Sequence, residues 1–169
     1  MQRLTGAAVI VLAFVLAGAS LVSARRERLS TLRGLCAALL QLQGELSARL
    51  TPLPEIITAL CGSGEKNTAA FFAHISSRLS ELGEQSFREI WRSAAEELSM
   101  LEENEHGELA ALGEMLGIYS ISDELCAIEL CRKRLEERRD EAERALTAYR
   151  RSCFGLCVAF GSLLAIVLI

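Results

Sequence analysis

In the stretch "LEENEHGELA", Glu103 and His106 stand three residues apart, a spacing that puts a carboxylate and an imidazole on one face of a helix. Present twice, such a pair holds two metal ions inside four-helix carboxylate proteins. The chain has two histidines, and the other, His74, has Phe71 three positions before it, so half of that site is missing and no metal is expected. His106, beside Gly107, reads as an exposed residue near a helix start.

Thiols are the next reactive groups. Cys153 and Cys157 lie at i and i+4, but two ligands make no closed metal site. Cys36, Cys61, Cys126 and Cys131 fall in the charged middle of the chain and read as small apolar residues. No phosphate-binding glycine loop, no G-x-S-x-G elbow and no Cys-His arrangement with an orienting third group occurs. Neither a catalytic residue nor a cofactor is expected.

The elements around these residues divide the chain of 169 residues into three parts. From Leu4 to Val22 the sequence "LTGAAVIVLAFVLAGASLV" carries no charge and no proline, and from Cys153 to Ile169 seventeen residues again carry no charge. At about 1.5 Å per residue the second run reaches roughly 25 Å, close to the lower limit for crossing a hydrocarbon core. Two transmembrane helices, 4–22 and 153–169, are therefore expected, with a bundle of residues 24–152 between them. The alternative for the first run is a cleaved secretory signal, with Val22-Ser23-Ala24 as the cleavage site. The arginines of "RRERLSTLRG", directly beyond it, oppose export.

Arg25, Arg26, Arg28 and Arg33 follow the first run, and Arg138, Arg139, Arg144, Arg150 and Arg151 precede the second, with only Arg3 on the far side. Charges close to the spans set orientation, so the middle is expected in the cytoplasm and both termini outside. Arg25, Arg26, Arg28, Arg150 and Arg151 would then flank the membrane and meet lipid headgroups.

Between the spans the pattern is helical throughout. Apolar residues recur at Leu29, Leu32, Cys36, Leu39, Leu46 and Leu50, and both prolines fall in "TPLPE", which ends one helix and starts a short second one over Pro54 to Cys61. A third helix is predicted from Asn67 to Leu82 with Phe71, Phe72, Ile75, Leu79 and Leu82 on its buried stripe. Ser86 followed by Glu89 has the form of a capping box, and Ile90, Trp91, Ala94 and Leu98 continue the apolar face. A fifth helix spans about Asn104 to Leu116. A sixth starts near Ser120, with Ile121, Ile128, Leu135, Ala142, Tyr149, Leu156 and Leu163 in a heptad that runs into the terminal span. The fold class is all-α: an antiparallel bundle of about six helices.

The formal net charge is −4, and between Glu81 and Glu129 the only lysines or arginines are Arg88 and Arg92. Such a surface excludes nucleic acid as a partner. Six carboxylates, Glu96, Glu97, Glu102, Glu103, Glu105 and Glu108, crowd into thirteen residues and form the expected protein-interaction surface.

The order of "ELSARLTPLPEII", "FREIW" and "LGEMLG", followed by a long charged helix entering a glycine-containing apolar end, resembles the stage III sporulation protein AB family of endospore-forming bacteria. The likeness covers nearly the whole chain. Where that family has an Asp and a Gln after "LGEMLG", this chain has Ser120 and Glu124, so neither takes a family role. The resemblance implies a non-enzymatic platform, related to that of type II secretion and type IV pilus systems, in the mother-cell membrane around the forespore. Its implied partners are a cytoplasmic hexameric ATPase and other membrane subunits of the channel complex, with self-association left open. A different class is a two-span sensor or adaptor with a ligand-binding middle, which would place residues 24–152 outside.

Overall fold

Helix boundaries follow the punctuation of the sequence. In the computed structural model the chain forms α1 (Gln2–Arg49), α2 (Leu53–Leu60), α3 (Lys66–Arg78), a 3-10 turn (Leu79–Glu81), α4 (Phe87–Glu96), α5 (Glu103–Met115) and α6 (Ile121–Leu168). The structure describes the backbone of residues 2–49, 51–62, 64–118 and 120–168, and the side chains of 22–48, 51–62, 64–118, 120–149 and 152. No strand occurs among the described residues.

Two compact units result, one made of Met1–Glu27 with Glu141–Ile169, the other of Arg28–Asp140. The predicted spans 4–22 and 153–169 lie outside the residues whose side chains are described, save Val22, and so do Leu50, Leu156 and Leu163. Among the described residues no helix is long and apolar enough to cross a membrane. Within the first unit the guanidinium of Arg25 stacks over the Tyr149 ring, 4.5 Å from its centroid.

The second unit is the helical bundle. Leu29, Leu32, Cys36, Leu39 and Leu46 of α1 are buried as the heptad predicts, and Leu35, Ala38 and Leu42 are buried with them. That stripe is wider than a two-helix seam because α1 is covered by more than one neighbour. At Gly34 the approach is closest: a Cβ there would lie 2.3 Å from Thr68 Oγ1 of α3. One turn away, the Asn67 side-chain amide donates to Thr31 Oγ1 at 3.0 Å.

Phe71, Phe72 and Trp91 form the aromatic centre, with the Phe71 and Trp91 rings edge to face at 5.1 Å and 85°. Such quadrupole-matched contacts add to the energy of burial. Ser86 caps α4 as predicted, its Oγ accepting the Glu89 amide while Glu89 Oε2 accepts the Ser86 amide at 2.9 Å. Leu82 departs from the prediction, being 44% exposed. After Arg78 the chain tightens to three residues per turn, which rotates the stripe away from the core before Gly83, at φ 120°, ends the segment. Ile121, the first residue of α6, is likewise 48% exposed, while Ile128 and Leu135 further along are buried.

Candidate interaction surface

The "FREIW" and "LGEMLG" segments meet across α4 and α5. Trp91 is fully buried, and its Nε1–H donates to the Leu109 carbonyl at 2.7 Å. A helix-interior glycine normally weakens a helix, but Gly113 makes room for this indole. Next to it, Glu114 receives two cations from α4, Arg88 Nε at 2.7 Å and Arg92 Nη2 at 2.6 Å. Gly117, at φ 79°, ends the segment in a conformation that side chains avoid. Its amide donates to Glu124 Oε1 at 2.8 Å, which accounts for the burial of Glu124. Ser120 donates to Asp123 Oδ2 at 2.6 Å in the first turn of α6. Ser120 and Glu124 thus have local structural work that depends on no ligand.

Of the six carboxylates expected on one surface, Glu105 does not reach it. Its side chain is fully buried and accepts Arg28 Nη2 at 2.6 Å and Arg28 Nε at 3.2 Å. The other oxygen accepts the Glu102 amide at 2.8 Å, so the same carboxylate caps α5. Arg28 also pairs with Glu102 at 2.6 Å. A buried carboxylate requires a cation in contact, which is why an arginine expected beside lipid is held inside the bundle.

Glu97 meets His74 Nδ1 at 2.9 Å, and Glu108 meets Arg134 at 2.7 Å. Glu96 and Glu103 remain exposed, with no ion pair among the described residues. The acidic surface therefore shrinks to these two together with partly neutralised neighbours. Reversing Glu102 and Glu105 would break the α1–α5 contact and not merely the surface potential.

Glu103 points to solvent while His106 is half-buried, and the described residues contain no group of three potential metal ligands. Burial pushes the Cys36 thiol up to about 11 and, with Glu108 adding to the effect, the Cys131 thiol up to about 12. Both are packing groups of low reactivity at neutral pH. Of the arginines expected at the membrane, Arg25 and Arg26 are exposed, Arg28 is taken up by Glu102 and Glu105, and Arg150 and Arg151 lie outside the residues whose side chains are described.

Sequence reasoning missed a groove between α5 and α6, of about 530 Å³, lined mainly by apolar side chains including Leu112, Met115 and Leu130. The heptad reading followed the buried edge of α6 and passed over the neighbouring stripe at Ala127 and Leu130. Two apolar residues at i and i+3 were the signal available.

Residues 3–169 match the family model described as stage III sporulation protein AB. A similar protein from Bacillus subtilis (strain 168), stage III sporulation protein AB, is 27% identical over 175 residues, spanning 99% of each chain. Among solved structures, stage III sporulation protein AB (SpoIIIAB) superposes with a TM-score of 0.64 at 27% identity, over 72% of this chain and 97% of that one.

Proposed function

This chain belongs to the stage III sporulation protein AB family, and from that premise we propose that it is a non-enzymatic membrane scaffold of a secretion-like complex between mother cell and forespore. In this reading the bundle lies in the cytoplasm, anchored at both ends, and couples a cytoplasmic ATPase to the other membrane subunits.

One observation carries the reading. The family-like segments are committed to locking α4 on α5, through Trp91 against Gly113 and Glu114 between Arg88 and Arg92. A body that relays motion between partners must be stiff, and tight interdigitation with satisfied charges gives low compressibility. Of the six carboxylates between positions 96 and 108, Glu96 and Glu103 are the ones left to steer a basic partner, an effect mainly on association rate.

Photo-crosslinkers placed at positions 96 and 103 in sporulating cells test the coupling. An adduct with the ATPase is the expected product. Adducts with membrane subunits alone would remove the ATPase from the proposal. For the topology, a reporter enzyme active only outside the cell, fused after Gly62, should stay silent; strong activity would favour the sensor arrangement.

A further inference from the structure

We propose that the groove between α5 and α6 is a docking site for an amphipathic helix of a partner protein, one whose apolar stripe carries a basic residue at each end. The proposal goes beyond the ATPase reading, which concerns Glu96 and Glu103, and rests only on the bundle being a binding module.

The two helices run antiparallel. Gly117 meets Glu124 beside the turn, and Glu108 meets Arg134 further out. Leu112 and Cys131 form the buried floor, while Met115 and Ala127 are half-buried walls. Leu130 is 50% exposed on the rim. Of the charged residues lining the groove, Asp123 stands at one end, and Arg134 is already held by both oxygens of Glu108 at 2.9 and 2.7 Å. A small polar molecule would find little to orient it, whereas a row of apolar knobs would fit.

Charge at the ends defines the occupant. Along α6, Asp123, Ala127, Leu130, Arg134 and Glu137 follow one another at intervals of four, three, four and three residues, the spacing of a helix-pairing seam. The cations on this side are engaged within the protein, Arg134 by Glu108, Lys133 by Glu129, and Arg138 likewise. Asp123, beyond its bond from Ser120, and Glu137, which acts on Arg134 only at a distance, form no ion pair among the described residues. They stand about 21 Å apart at about 1.5 Å per residue, on nearly the same side of the helix. A complementary helix therefore carries Lys or Arg at two positions about four turns apart, with Leu or Ala between them.

The test uses the full chain in detergent and two labelled helical peptides of about 18 residues, a length that spans those four turns. Both have the same apolar stripe, one with Lys and the other with Glu at the two end positions. Fluorescence anisotropy should show the Lys peptide binding about tenfold tighter at low salt, with the gap closing as salt rises. Leu130→Glu, an exposed position, should abolish binding while circular dichroism stays unchanged. Asp123→Asn combined with Glu137→Lys should turn the preference toward the Glu peptide. Equal binding of both peptides, or a preference untouched by these changes, overturns the proposal. So does a homodimer in sedimentation that Leu130→Glu disperses, because a second copy would then occupy the groove. Loss of the ATPase crosslink at positions 96 and 103 with peptide discrimination intact would overturn the coupling reading alone.

Discussion

Gly113 lies directly against the indole of Trp91: a Cβ at position 113 would stand 2.3 Å from Trp91 Cδ1 and 2.8 Å from Cγ. Replacing glycine by alanine inside a helix ordinarily stabilises by roughly 1 kcal/mol. Here the overlap costs about 1–3 kcal/mol, because the indole is also tied to the Leu109 carbonyl and cannot retreat. Gly113→Ala should therefore lower the midpoint of thermal unfolding. In a Trp91→Ala background, itself costing roughly 3–5 kcal/mol, the same change should become stabilising. Strictly additive effects would mean that the two positions do not contact one another.

Residues 28–140 form a compact unit with their own aromatic and aliphatic core. Expressed alone, this segment should be helical by circular dichroism, with or without chelator and reductant. Loss of helix on chelation would instead point to a metal held by Glu103 and His106.

Arg28 and Glu105 form an ion pair in which the carboxylate is fully buried. Removing one partner of such a pair costs roughly 3–5 kcal/mol, whereas an exposed pair contributes about 0–1 kcal/mol. Arg28→Ala should accordingly destabilise the 28–140 segment far more than Arg92→Ala, which breaks a pair with both partners substantially exposed. Chemical unfolding of the two variants gives the comparison, and equal losses would contradict the buried geometry.

Cys36 and Cys131 should react with iodoacetamide much more slowly than the exposed Cys126 at neutral pH. Their raised pKa values also set a sign for alkaline stability. Above the ordinary thiol value of 9.0 the unfolded chain loses protons that the folded chain keeps until about 11 at Cys36 and about 12 at Cys131. Stability therefore falls as pH rises through 9. Replacing both cysteines by alanine should flatten that fall, and an unchanged slope would locate its origin elsewhere.

At the acid end, the Ser86 amide and hydroxyl hold the Glu89 carboxyl below its usual range. A depressed carboxyl contributes stability above its unfolded value and loses it as pH falls through the folded one. Wild type and Glu89→Gln should differ in melting temperature at pH 7 and converge under more acidic conditions. A constant difference would show that the cap does not depend on ionised Glu89.

What the sequence disclosed follows from the range of the interactions. Local patterns were legible: the Ser86 cap, the proline break before α2 and the stripe through Phe71, Phe72 and Ile75 each depend on residues within about two turns. Leu82 was placed wrongly because a tightening to 3-10 geometry changes the period without changing residue type. Arg28 and Glu105, separated by 77 positions, had no local signature, so an arginine beside an apolar run read as a lipid-facing charge. For the acidic segment, composition gave the charge but not the orientation of each carboxylate. Glu105 turns inward because it is the third residue of α5, where its carboxylate reaches back to the Glu102 amide.

Because Glu105 serves two bonds at once, its replacement is constrained along any path of single substitutions. Aspartate, one methylene shorter by roughly 1.5 Å, can reach the amide or the guanidinium but not both. Glutamine keeps the reach and can still accept, but leaves Arg28 without a counter-charge. A viable exchange must alter positions 28 and 105 together, and both intermediates on the way are less stable than either end. Drift at this contact is thus gated by a fitness valley, and its two residues should change as a couple across divergent sequences.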